Sequence, residues 1–359
     1  MKSKKRRVLL LTVLVIAFMM GCSEKTKSGQ ESDLNMKSEK TFEFVDSAGR
    51  KVTLPKSIKR IAPFGTMAQI MLFALAPDEM VGLSGKWATS ADMVLDKKYL
   101  ELPVFGQLYG SKDLNMEALV AADPQVIIDI GEAKDSIAAD MDQMSEQLGI
   151  PTVFIEATTE GTGDAYRMLG KLLGKEEDAE EIAVYCDNIY DSIQDQMNQI
   201  SEKKRILYCL GTDGLNVIGQ KSFHSEVLNM IGDNVAKLDQ VSSLGSGNPV
   251  SMEQILKWNP EYIVFAPGSI YSQVENNPSW QGLSAIQSKK YFEAPSIPYN
   301  WLGFPPSVNR YIGMIWLCET LYPEDFDFDL YGETKQFYKM FYHCDLTEEL
   351  YGKIMNSSK

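Results

Sequence analysis

Residues 114–128 read LNMEALVAADPQVII, and residues 250–264 read VSMEQILKWNPEYIV. The two stretches align without a gap. Met116 meets Met252, Glu117 meets Glu253, Pro124 meets Pro260, and the apolar positions agree in type. Asn115 and Ser251 are residue types whose side chains satisfy the free N–H groups at a helix start. A short helix follows, a proline ends it, and an apolar run completes the unit. Such a run suits a parallel strand covered on both faces. One helix–turn–strand unit in each half of the chain predicts two related α/β lobes.

Between the units, Ile182, Cys186, Ile189, Ile193, Met197 and Ile200 recur at steps of three or four. That spacing is one face of an α-helix, predicted over 176–202 and about 40 Å long. A coiled coil is disfavoured, because the pattern lasts under four heptads and no second helix directly precedes it. The segment reads as a rigid spine between lobes spanning 41–175 and 203–359. Strand and helix alternate around it, as α/β architecture requires. A hairpin is predicted over 41–54, strands at 60–62, 81–83, 151–155 and 205–210, and helices at 66–76, 137–148 and 222–231. The run Phe304-Pro305-Pro306 opens a last helix to about Leu321, with proline pre-organised for its first turn.

Lys2, Lys4, Lys5, Arg6 and Arg7 precede an apolar run from Val8 to Met20 broken only by Thr12. The run is shorter than the ~20 residues that span a bilayer, so residues 1–21 read as a secretory signal peptide. Gly21-Cys22 reads as a lipobox, which makes Cys22 the lipidated first residue of the mature chain; an uncleaved anchor helix is the alternative. Residues 22–40 are polar and read as a flexible tether. About 320 residues remain, too many for one ordinary core. The net charge of −14 becomes more negative once the five signal cations are removed. An acidic surface repels phosphate backbones, so nucleic acid is not an expected partner. Cys186, Cys209, Cys318 and Cys344 form no Cys-x-x-Cys motif and read as buried apolar thiols. With only His224 and His343 present, no His/Cys cage for a bare transition metal is expected.

In this order, lipobox, hairpin, repeat unit, spine helix and second repeat unit, the chain resembles the periplasmic binding proteins of iron-siderophore, haem and cobalamin ABC importers. The stretch at 214–219 followed by Phe223-His224-Ser225-Glu226 is similar to that family's second-lobe opening. The resemblance covers about 41–351. It implies two α/β lobes joined by one long backbone helix, with the ligand cleft between them. It also implies a monomer that catalyses nothing and needs no cofactor, with an ABC permease and its ATPase as partners and a membrane anchor on Cys22. In the family one acidic residue on each lobe docks against permease arginines, and the matching positions are Glu117 and Glu253. A glutamate in a first helical turn is also favoured by the helix dipole alone.

Ligand pockets in such folds lie at strand C-termini and helix N-termini. That rule nominates loops at 63–66, 85–87, 131–132, 211–214, 222–224, 245–248 and 298–301. Trp87, Tyr299 and Trp301 are candidate flat walls, Lys86 and Arg310 candidate cations, and His224 a candidate contact. Arg310 falls in a first helical turn, where the dipole disfavours a cation, so it should meet an anion: the ligand or an acidic side chain of this chain. The resemblance favours an iron(III) chelate, whose metal is already caged by oxygen. A molybdate or tungstate oxyanion, cobalamin and haem are the alternatives. No Gly-x-Ser-x-Gly, His-Glu-x-x-His or P-loop motif supports an enzyme. A sensory or structural surface lipoprotein on the same fold is the alternative of another class.

Overall fold

The computed structural model describes residues 40–356 except 110–111 and 243–244. The expected signal peptide, Cys22 and nearly all of the expected tether lie outside the described residues. Strands β1 (Thr41–Val45) and β2 (Lys51–Pro55) form the antiparallel hairpin. Its turn is organised by the buried Asp46, whose Oδ1 accepts from the Ala48 and Arg50 N–H groups. The other oxygen of Asp46 accepts from Arg50 Nη1 and from the Phe154 N–H, which ties the hairpin to the first lobe.

Two separate sheets define the lobes. The N-terminal sheet is parallel, in the order β3 (Ile61–Pro63), β4 (Val126–Gly131), β5 (Thr152–Glu156). The C-terminal sheet contains β6 (Arg205–Leu210), β7 (Asn216–Val217), β8 (Asp233–Asn234), β9 (Asn248–Pro249), β10 (Tyr262–Phe265) and β11 (Tyr291–Glu293). Its order is β11-β10-β6-β7-β9, with β8 paired to β6. The strand of each repeat unit is therefore central: β4 between β3 and β5, and β10 between β11 and β6. Centrality explains the unbroken apolar runs. Val126, Ile128 and Ile130 face one core, and Ile127 faces another with Ile137, Met141 and Met144. Each such fully buried side chain contributes roughly 1.5–3 kcal/mol.

The larger helices are α1 (Thr66–Leu75), α2 (Met116–Ala121), α3 (Ile137–Leu148), α4 (Thr162–Leu173), α5 (Glu176–Met197), α6 (Glu226–Ile231), α7 (Met252–Trp258), α8 (Asn309–Leu321), α9 (Leu330–Tyr342) and α10 (Glu348–Asn356). The caps of the repeat units form as their residue types dictate. Asn115 Oδ1 accepts from the Ala118 N–H at 3.0 Å, and Ser251 Oγ from the Gln254 N–H at 3.2 Å. Asp123 and Asn259, just before the prolines, both take the left-handed conformation.

Several elements differ from expectation. The spine α5 ends at Met197, short of 202, because Gln199 and Ile200 close tight i→i+3 turns while Ile200 still packs on the core. A second helix does precede it: α4 buries Ala165, Tyr166, Leu169 and Leu172 and packs against α5. The two approach so closely that a Cβ on Gly170 would lie 2.6 Å from Ala179 Cβ. Residues 81–83 form no strand. Leu83 makes a single bridge to Val104, and the Phe105 ring presses on Gly82. The segment 222–231 splits into a 3-10 turn over Phe223–Ser225 and α6. The two prolines at 305–306 lie ahead of α8, which begins at Asn309. Cys186, Cys209 and Cys318 are buried free thiols, and Cys344 is half-buried and free.

Candidate functional site

A cleft of about 490 Å³ opens between the lobes. The N-terminal lobe supplies Gly65, Thr66 and Met67 at the start of α1, Gln107 and Tyr109 from a loop, and Asp129 to Glu132 and Lys134 from the end of β4. The C-terminal lobe supplies Lys221 to His224, Val241, Ser242, Gly245, Pro305 and Pro306. Gly65 to Met67 stand at a helix start and Asp129 to Gly131 at the carboxyl end of a strand, where an open α/β sheet leaves backbone groups unpaired, and most of the remaining lining comes from loops.

The N-terminal wall is a connected polar set. Lys134 Nζ stands 3.2 Å from the centre of the Tyr109 ring. The Tyr109 hydroxyl donates to Asp140 Oδ2 at 2.6 Å, and Ser136 Oγ donates to the same oxygen at 2.9 Å. These donations hold the Asp140 carboxyl below its usual range, while burial, then Asp140, pushes the Tyr109 phenol up. Asp129 is 7% exposed. Burial raises its carboxyl to about 7, against the opposing pull of Lys134. Burial also lowers the Lys134 ammonium, opposed first by Asp129.

On the opposite wall the His224 ring stacks on Phe304, with centroids 4.8 Å apart and planes at 12°. Its Nδ1 lies 3.0 Å from the Gly303 carbonyl oxygen, which can only accept, so Nδ1 carries the proton and Nε2 is the acceptor. Burial lowers the His224 value and keeps the ring neutral at pH 7. Lys221 on this wall is exposed.

Arg310 does not line the cleft. It is 2% exposed and forms an ion pair with Glu226. Its Nη1 also donates to Thr159 Oγ1 at 2.9 Å, and its Nη2 to the Phe223 carbonyl at 2.5 Å. Tyr311 donates to the Thr159 carbonyl at 2.6 Å, and Glu226 Oε2 lies 2.5 Å from Thr159 Oγ1. Thr159 belongs to the N-terminal lobe and its partners to the C-terminal one, so this cluster knots the lobes together. A second cavity of about 510 Å³ is lined by Thr159, Glu160, Tyr190, Glu226 and Asn229 among others, so the knot forms part of its wall.

The other nominated residues are spread out. Lys86 is exposed. Trp87 is buried edge-on against Phe73, and its Nε1 donates to the Tyr99 carbonyl. Tyr299 stands 5.9 Å from Trp87 and lines a smaller cavity of about 300 Å³ with Tyr208 and Phe304. Trp301 is fully buried, and its backbone presses on Gly313 of α8. Of the six nominated ligand contacts, only His224 lines the cleft. Asp129, Lys134, Lys221 and Tyr109 were not singled out. An ionisable residue interrupting an apolar central strand marks Asp129 in the sequence; Tyr109 sits in an irregular loop with no such signal.

Glu117 and Glu253 are exposed in the first turns of α2 and α7. Apolar side chains flank them. Met116 and Val120 are 45% and 46% exposed, and Leu256 is 40% exposed. Among the described residues neither glutamate is in an ion pair.

Comparison with known proteins agrees with this architecture. The chain is 24% identical to the molybdate-binding protein MolA of Haemophilus influenzae, over 83% of this chain and 90% of the relative. It is 22% identical to the Fe(3+)-citrate-binding protein YfmC of Bacillus subtilis, over 80% and 87%. Among solved structures, an ABC transporter solute binding protein from Sulfurospirillum deleyianum superposes with a TM-score of 0.80 at 28% identity, covering 88% of this chain and 99% of that one. A family model for periplasmic binding proteins matches residues 66–298, and the chain accordingly belongs to the periplasmic binding protein family, the extracytoplasmic solute-binding proteins of ABC transporters, which are not enzymes.

Proposed function

We propose that this protein captures an anionic iron(III) chelate between its lobes and delivers it to an ABC permease. The observation that carries the reading is the pair of lysines, one from each lobe, that face one cavity: Lys134 beside Tyr109, and Lys221 beside Phe223 and His224. The cavity volume suits a small molecule, for which pockets of about 300–1,000 Å³ are usual. A chelate brings its own oxygen cage, so the protein supplies cations and flat walls. Among the described residues no cluster of three His, Cys, Asp or Glu stands ready to hold a bare metal ion. A relative named for ferric citrate supports the same class of ligand.

A molybdate-like oxyanion is the second reading. Gly65 starts α1 without a side-chain cap, and Thr66 and Met67 of its first turn line the cleft. Unpaired N–H groups at a helix start suit an oxyanion, and a relative is named for molybdate. Calorimetric titration with ferric citrate and with molybdate decides between them. Trp87 and Trp301 do not line the cleft, so tryptophan quenching is a less direct readout. Saturable binding of ferric citrate, weakened about tenfold by Lys134→Ala and by Lys221→Ala, is expected. Binding of molybdate alone would move the assignment to an oxyanion.

Glu117 and Glu253 serve as the permease contacts in this reading, each an exposed acid beside exposed apolar side chains, and lipid on Cys22 keeps the protein near its permease. In a transport assay in cells, Glu117→Lys with Glu253→Lys should abolish uptake with calorimetric affinity unchanged, and Cys22→Ser should release the protein from the membrane fraction. Uptake that survives the double reversal would remove the docking role.

A further inference from the structure

Asp129 is the only carboxyl within either repeat-unit strand, and its placement is not a packing solution. In the aligned second unit its position is Phe265, which is fully buried and packed edge-on against Trp280 at 5.3 Å. Both side chains share the strand face of their unit's isoleucine: Ile127 with Asp129 in β4, and Ile263 with Phe265 in β10. The C-terminal copy fills the space with an aromatic ring. The N-terminal copy leaves a cavity and lines it with a carboxyl. That carboxyl lies against the α1 N-terminus, where a Cβ on Gly65 would be 3.4 Å from Asp129 Oδ1.

The charges around this carboxyl can be named. The loop after β4 brings Lys134 and Glu132. The Tyr109 loop brings a phenol, and α3 brings Asp140, which is occupied by Tyr109 and Ser136. The first turn of α1 carries no charged side chain. Across the cleft stand Lys221 and the neutral His224. An ionised Asp129 in this wall would repel an anionic ligand, whereas a neutral one can donate a hydrogen bond to it.

We propose that Asp129 determines the ligand class by meeting an anionic ligand as a neutral carboxyl, so that binding takes up a proton from solvent. The inference rests on the anionic-ligand reading above. The proton adds to a carboxylate oxygen of Asp129 and is then donated in a hydrogen bond to a ligand oxygen; no covalent bond of the ligand changes. The site thereby favours anions with basic outer oxygens, such as carboxylates and oxometalates, over poor acceptors such as chloride. Burial places the carboxyl at about 7 in the empty cleft, so it is available in both forms near neutrality. An arriving anion draws the proton on.

The test is calorimetry on the purified full-length protein, with ferric citrate and with molybdate, in buffers of different ionisation enthalpy at about pH 6 and about pH 8, either side of the Asp129 value. Ligand binding should take up a fraction of a proton that rises with pH, and affinity should fall up to tenfold per pH unit above neutrality. Asp129→Asn should abolish the uptake and flatten the pH dependence, yet keep affinity within a few-fold, because the amide still donates. Asp129→Ala should lose affinity and the pH dependence together; circular dichroism confirms that both variants fold. Binding without proton uptake, or uptake that persists in Asp129→Asn, overturns the inference while leaving the anionic cleft standing. Absence of binding of either anion at any pH overturns both.

Discussion

The two repeat units are built on one plan and used for different ends. Each has a side-chain-capped helix start, a left-handed residue before its proline and a central parallel strand. At the strand end they part. In β10, Phe265 joins Trp280, Tyr271 and Tyr291 in an aromatic cluster. In β4, the same position holds Asp129 and opens onto the cleft. The comparison teaches that the unit is a scaffold, and that at one position on one strand face its end either packs as core or opens onto the cleft.

The most damaging way to break this comparison is Phe265→Asp, which puts an unpaired carboxyl into the aromatic cluster. It should cost at least about 4 kcal/mol in urea unfolding, combining a lost buried ring with a desolvated polar group. The reverse exchange, Asp129→Phe, should leave stability close to that of the parent and eliminate ligand binding; a comparable loss of stability would mean that the two strand ends are not equivalent. A smaller effect comes from pH. The Asp129 carboxyl is raised in the folded protein to about 7. Its contribution is therefore fully present below the unfolded value near 4 and is lost as pH rises through 7. The unfolding free energy of the unliganded protein should fall across that window by on the order of 4 kcal/mol, lowering the melting temperature with it, and Asp129→Asn should remove this part of the fall. The smallest effect sharpens the likeness between the units. Asn115→Ala and Ser251→Ala should each cost about 1 kcal/mol, and strongly unequal losses in urea titrations would show that the two caps are not doing the same job.

Much of the scaffold was legible in the sequence because periodicity is a local signal. The repeat, the spine and the hairpin all announce themselves within windows of fifteen to twenty-five residues or so. The spine's last turn was not legible, since Ile200 keeps the apolar spacing while its backbone leaves the helix. The cleft was legible only as a set of strand ends. Trp87 and Trp301 stand out in the sequence as flat walls, yet both side chains are buried in packing, because an aromatic near a loop serves a core as readily as a ligand. Arg310 illustrates how far a physical rule reaches. Its position in a first helical turn demanded an anionic partner, and Glu226 is that partner, but nothing local in the sequence distinguishes Glu226 from a bound ligand. Lys134 and Lys221 escaped notice because a lysine in a loop carries no periodic signature, and only the third dimension brings them to one space.

The knot at Thr159 also bears on how the chain acquires its shape. Arg310 and Thr159 are 151 positions apart in the sequence. Closing a flexible loop of that length would cost on the order of 4 kcal/mol in chain entropy. Part of that loop is ordered locally, since α4 and α5 pack against each other within it. A chain emerging N-terminus first presents Thr159 before α8, which carries Arg310 and Tyr311 onto it, and α9 follows to pack back on α1 of the first lobe.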